Sequence, residues 1–253
     1  YVFSMDGKPV KVLAVHPPCQ MTHRVTFSDG SEFVCHENHE WLLNVRGHKP
    51  GIEQIETKAM IGNLHATAKH DHVRGHRYRY QVPLRPPIEG VPQDLPVKPY
   101  TLGVWLGDGT SNSPCINIAK SDSRMARKMK DDGYPATRIY RHPETGVRRY
   151  VFALLRENLE KLGMCNSRHP GIKHIPEMYL TAPVEDRLQL LAGLLDTDGS
   201  LRRSENRYTF STVIPELRDS FIQLVSTFGW RCSVVEYEPH TSSFGIVGKK
   251  NRR

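Results

Sequence analysis

Two stretches of the chain share one pattern of apolar and polar positions. Residues 100–110 read YTLGVWLGDGT and residues 190–200 read LLAGLLDTDGS: apolar and small residues, then Asp-Gly, then Thr or Ser. Each predicts a helix that stops at the Asp-Gly step. Their aspartates, Asp108 and Asp198, stand 90 positions apart, which reads as an internal repeat. Behind the first copy the pattern predicts a strand (CINIAK), a helix (SDSRMARKMKDDG), two strands over residues 137–153 around Pro143-Glu144-Thr145-Gly146, and a helix from Leu154 closed by Gly163. Behind the second it predicts a strand (RYTFSTV), a helix with Leu217, Phe221, Val225 and Phe228 on one face and Gly229 after it, and strands near residues 232–237 and 243–247. No counterpart of the 154–163 helix follows before Arg253, so the second copy reads as cut short.

The amino-terminal texture differs. Residues 1–45 alternate as short strands, with Asp29-Gly30 a hairpin signal. Residues 46–96 show weak periodicity, and KHDHVRGHRYRYQVPLRPP concentrates His, Arg, Tyr and Pro, so this segment reads as an irregular basic linker or docking arm. Residues 97–253 carry the repeat, divided at 97–180 and 181–253.

Composition adds charge to this outline. With 35 Lys plus Arg against 27 Asp plus Glu, the formal net charge is +8, which suits a polyanionic partner such as nucleic acid; on charge alone a solvated basic surface accounts for it equally well. Five cysteines in a chain of this size do not read as a disulfide framework. No apolar run approaches the roughly 18 residues that span a bilayer, and no signal peptide opens the chain. The expectation is a soluble, intracellular protein, in cytoplasm or nucleoid, with no membrane partner.

Acid at a helix C-terminus opposes the macrodipole by a few tenths to about 1 kcal/mol, so something must compensate it. If the two motif helices pack side by side, with Gly103 and Gly107 against Ala192 and Gly193, both carboxylates arrive at one place. Two adjacent carboxylates repel unless a cation lies between them. Oxygen ligands without nearby Cys or His point to Mg²⁺ and a substrate phosphate. Asp196 is two residues from Asp198 and faces elsewhere, and Leu106 stands at its matching position. The alternative is that both motifs are ordinary Asp-Gly turns.

These motifs resemble those of the LAGLIDADG homing endonucleases: LAGLLDTDG nearly spells the family name, and TLGVWLGDG is a degenerate partner. The resemblance covers residues 97–253. It implies an α+β fold of two pseudo-symmetric αββαββα halves in one monomer, whose sheets form a saddle over the major groove of double-stranded DNA at a long asymmetric site. It implies two or more Mg²⁺ ions held at Asp108 and Asp198, with Gly107 and Thr197 as neighbouring ligands. Lys173, in GIKHIPEMYL, resembles the active-site lysine that intein-borne members carry before the second motif; Lys249 and Lys250 are the candidates for its second-half counterpart. DNA contacts are expected from Arg138, Arg141, Arg148 and Arg149 in the first half and Arg203 and Arg207 in the second. In RYTFSTV, Tyr208, Phe210 and Thr212 share one face and Arg207, Thr209 and Ser211 the other. Arg74, Arg77, Arg79 and Arg85, interleaved with Tyr78 and Tyr80, suggest a second contact that extends the footprint.

The first residues are similar to part of the Hint fold of inteins. DGSEFVCHENHEWLL resembles the block whose His activates the first splice-site peptide bond, and His39 occupies that position. His36 stands where Thr is usual, Tyr1 replaces the opening Cys or Ser, and no terminal His-Asn occurs, so the chain as given is expected not to splice. Cys35, His36 and His39, with His16, Cys19 and His23 nearby, offer a rival zinc reading, but their spacing is not that of an established finger. The leading expectation is a Mg²⁺-dependent, site-specific DNA endonuclease of an intein. The alternatives are an RNA-binding maturase and a protein-splicing element without nuclease activity.

Overall fold

The computed structural model describes residues 1–17, 19–66, 77–119, 122–144, 146–165, 171–241 and 247–251. It is a mixed α+β protein of small antiparallel sheets and, among the described residues, seven helices. The chain divides into two compact units: one of Tyr1–Val2, Val10–Arg85 and Ser233–Arg253, the other of Phe3–Pro9 and Pro86–Cys232. Strands β1 (Val2–Phe3) and β2 (Pro9–Val10) are two residues each.

In the first unit, β3 (His23–Thr26) and β4 (Glu32–Cys35) form the expected hairpin around Asp29-Gly30, with Gly30 at φ +84°. β5 (Glu40–Val45) is central in a three-stranded sheet, flanked by β6 (Ile52–Glu56) and β7 (Tyr80–Gln81). The one-turn helix α1 (Thr57–Met60) follows β6. Residues 46–96 are therefore not irregular throughout: IEQIE and YQ supply both flanking strands of this sheet. Glu and Gln are poor strand formers, so their pairing with the more apolar β5 leaves little local trace. Among the described residues the buried apolar side chains here are few: Cys35, Leu43, Val45 and Met60.

The second unit holds the main core, from Val97 to Phe228. Helix α2 (Pro99–Asp108) begins at Pro99, whose fixed φ suits the first helical position. β8 (Cys115–Ile118), α3 (Ser123–Asp131), β9 (Arg138–Arg141), β10 (Arg148–Val151) and α4 (Ala153–Lys161) follow in the expected order. α4 buries Leu155 and Leu159, and Gly163, at φ +72°, closes it. After α5 (Glu177–Leu180), α6 (Val184–Asp198) starts with Glu185 and Asp186 in its first turn, where acid is favourable. β11 (Gly199–Arg202) and β12 (Arg207–Phe210) form a hairpin, and α7 (Pro215–Thr227) buries Leu217, Phe221, Leu224 and Val225.

Three differences from the sequence reading concern the second copy. β11 has no sequence forecast, because GSLR is short and continues directly from a helix. Residues 232–236 are not a strand: Val234 and Val235 are both about half exposed, so neither face is buried. Of the strand expected at 243–247, residues 243–246 lie outside the described residues; β13 (Tyr237–Thr241) pairs with β14 (Val247–Asn251), and this hairpin clusters with the first unit. In the first copy β8 joins β10 and β9 in one sheet, whereas β11 and β12 stand as a separate pair.

Candidate functional site

α2 and α6 meet through glycine. A Cβ added at Gly103 would lie 2.3 Å from the Leu190 carbonyl oxygen and 3.0 Å from Gly193 Cα; one added at Gly193 would lie 2.3 Å from the Tyr100 oxygen and 3.0 Å from Gly103 Cα. The contacts are reciprocal, with every partner offset by the same interval as the two aspartates. Ala192, expected in this contact, is only partly buried. One turn further on, a Cβ at Gly107 would strike Thr197 Oγ1 at 2.0 Å and lie 3.2 Å from Asp198 Oδ2. Asp108 and Asp198 are the last residues of their helices, so this close approach brings the two carboxylates together.

Neither helix has a basic residue in its last turn. Lys173 supplies the missing charge at α2: its Nζ donates to the carbonyls of Leu106 (3.0 Å), Gly107 (3.1 Å) and Gly109 (2.6 Å). Three N–H donors meet three acceptors, and the ammonium also lies 5.1 Å from the Trp105 ring centroid. Lys173 is 4 % exposed. Burial lowers its pKa to about 8, against the pull of Asp198 and Asp108 in the opposite direction. Both carboxyls are raised, Asp108 by burial and by the charge of Asp198, Asp198 by burial; Lys173 offsets part of each shift.

This set fits a hard divalent cation in its chemistry: two half-buried carboxylates, oxygen donors that each carry a cost when ionised. Asp108 and Asp198 would hold it. The Gly107 carbonyl is engaged by Lys173, and the Thr197 hydroxyl donates within α6, to Gly193 O at 3.3 Å and Leu194 O at 2.8 Å. Thr197 therefore meets Gly107 as a packing contact. Asp196 is exposed and accepts from Tyr100 Oη at 2.7 Å. Among the described residues no three His, Cys, Asp or Glu side chains gather at a point; Cys35 is buried against Thr57 Oγ1 at 3.4 Å, and all five cysteines are free.

The arginines divide by register. In the β8–β10–β9 sheet Arg149 pairs with Asn117 and Tyr140, and Val151 with Arg138. On this face Asn117, Arg149, Tyr140 and Arg138 are exposed. Arg148 and Arg141 pair on the other face, in line with buried Ile116, Ile118 and Tyr150. The four do not form one patch, because alternation sends neighbours to opposite faces. On the β11–β12 hairpin Arg207 pairs with Arg202, and Ser200 with Thr209, opposite the face where Phe210 stacks on Phe221 at 4.3 Å. Arg203 is exposed in the connecting turn. Asn117, Tyr140 and Arg202 escaped the sequence reading; extending the alternation from Arg207 back across the turn would have found Arg202.

In the first unit Arg79 donates to Asn63 Oδ1 at 2.9 Å and lies 3.3 Å from His48 Nε2. That binds it to its own unit instead of leaving it as a free phosphate contact. Arg77 is exposed and Arg85 partly buried; Arg74 and the side chains of Lys249 and Lys250 lie outside the described residues. His39 is exposed, its ring edge-on to Trp41 at 4.9 Å. No helix among the described residues is long and apolar enough to cross a membrane.

No family model matches the chain. It is 28 % identical over 247 residues, 90 % of its length, to the replicative DNA helicase DnaB of Mycobacterium intracellulare, of which it spans 38 %. It is 32 % identical over 103 residues, 40 % of its length, to the reverse gyrase of Methanocaldococcus jannaschii, of which it spans 6 %. The first of these is by name a DNA helicase.

Proposed function

We propose that the chain is a metal-dependent, site-specific DNA endonuclease of the LAGLIDADG type carried in an intein. The observation that carries this is the pair Asp108 and Asp198, brought together at the reciprocal Gly103–Gly193 contact beside buried Lys173. The comparisons fit an inserted element: one chain matches limited parts of two different enzymes.

In this reading the open faces carrying Arg149, Arg138 and Tyr140, and Arg207 and Arg202, lie along the duplex. Asp108 and Asp198 are the residues that would hold divalent cations. When bound, Mg²⁺ would neutralise phosphate charge and lower the pKa of coordinated water. Lys173, its N–H donors held by the carbonyls of α2, adds a fixed positive charge beside the two carboxylates. Burial makes these charges act more strongly than they would in water.

The test is selection of cleaved sequences from a randomised duplex library with Mg²⁺. Wild type should cut both strands at one extended sequence, while Asp108→Asn and Asp198→Asn bind that sequence without cutting it. Cutting by both variants at the wild-type rate would remove the site. Binding of structured RNA in preference to duplex DNA, with no cleavage, would favour the maturase reading.

A further inference from the structure

The hairpin behind α6 contains a carboxylate between two arginines. Arg202 and Arg207 are direct cross-strand partners, and like charges so placed repel. The turn that joins them, Arg203–Glu205 with Asn206 in the left-handed region at φ 47°, brings Glu205 to both. Arg202 Nη1 lies 3.4 Å from Glu205 Oε1 and Arg207 Nη1 3.2 Å from Oε2. Each carboxylate oxygen thus takes one guanidinium, as the two anionic oxygens of a phosphodiester could.

We propose that Arg202 and Arg207 form a two-arginine phosphodiester site, and that Glu205 is its built-in competitor, which limits sequence-independent binding. This rests on the DNA-binding reading above. All three side chains are exposed, and exposed ion pairs are weak, so a well-placed backbone phosphate displaces the carboxylate. A poorly placed one does not. Displacement leaves Glu205 ionised beside the duplex, where it attracts cations again and offsets part of the counterion release that drives binding. The hairpin therefore favours sites where other contacts fix the register.

The test measures a random-sequence 30-base-pair duplex by fluorescence anisotropy against salt concentration, with the full chain. Glu205→Gln should bind about three- to tenfold tighter than wild type, with a log–log salt slope steeper by about one. Glu205→Ser should do the same and guards against an effect of one variant's folding, which circular dichroism checks. In an Arg202→Gln/Arg207→Gln background the Glu205 substitution should change nothing. Equal affinity and slope for wild type and both Glu205 variants would overturn the proposal alone. Weaker binding by both would also overturn it, by making Glu205 a base-contacting acceptor. Absence of duplex binding in wild type and variants alike would overturn the DNA-binding reading and this proposal together.

Discussion

At the scale of residues, three charges share one small buried volume and do not balance. Raised carboxyl pKa values mean that the folded protein holds protons at Asp108 and Asp198 which the unfolded chain would release. Their ionisation therefore lowers stability as pH rises from the ordinary carboxyl range through the folded values. Asp108→Asn should raise the thermal midpoint of the metal-free protein at pH 7, and Mg²⁺ should raise the wild-type midpoint more than the variant's. A scanning calorimeter reads both. Lys173 has the opposite sign. Its folded pKa, about 8, lies below its ordinary value, so between the two the unfolded chain binds more protons and stability rises with pH. Comparing wild type with Lys173→Met in urea titrations should show that rise, about 1 to 3 kcal/mol between pH 8 and 10, in wild type only. A parallel pair of curves would mean that Lys173 titrates normally.

At the scale of elements, the α2–α6 contact sets the geometry on which the site depends. Alanine is the better helix former by about 1 kcal/mol, yet Gly103→Ala places a methyl 2.3 Å from a backbone carbonyl of the facing helix. Backbone cannot swing aside as a side chain can, so the helices must separate. The expected cost is about 2 to 3 kcal/mol net, read by urea denaturation, with Gly193→Ala matching it. The sheets give a second expectation from their register. Arg149→Gln, on the open face beside Asn117 and Tyr140, should weaken duplex binding and flatten its salt slope by about one. Arg148→Gln, on the packed face, should change the slope much less. Equal effects would mean that the duplex does not lie along one face.

At the scale of the whole molecule, two units of unequal core share one chain. The second unit owns the continuous cluster that includes Trp105, Phe152, Leu190 and Phe228, while among the described residues Leu43, Val45, Met60 and Cys35 are the buried apolar ones of the first. Buried apolar area sets stability to first order, so calorimetry should resolve a lower transition for the first unit and a higher one for the second. Mg²⁺ should move only the higher one. A single sharp transition would show that the units unfold together.

The sequence by itself determined the elements that carry their own local signals. Gly163 and Gly229 close helices, and the apolar face of α7 at Leu217, Phe221, Val225 and Phe228 is buried as its spacing requires. The motif repeat likewise marked Asp108 and Asp198, because its pattern lies within single helices. What tertiary structure decided is everything that depends on partners distant in the chain. IEQIE became a strand only through pairing with β5; Arg79 became internal only through Asn63 and His48. The last hairpin joined the first unit, against the order of the repeat. The compensation of the acidic helix end shows the division most clearly. Sequence required a positive charge there, since two carboxylates and a helix C-terminus repel one another, but that charge could be a metal or a side chain. At α2 the fold brings Lys173 onto three carbonyls from 64 to 67 residues away, a choice made by geometry that no local pattern encodes.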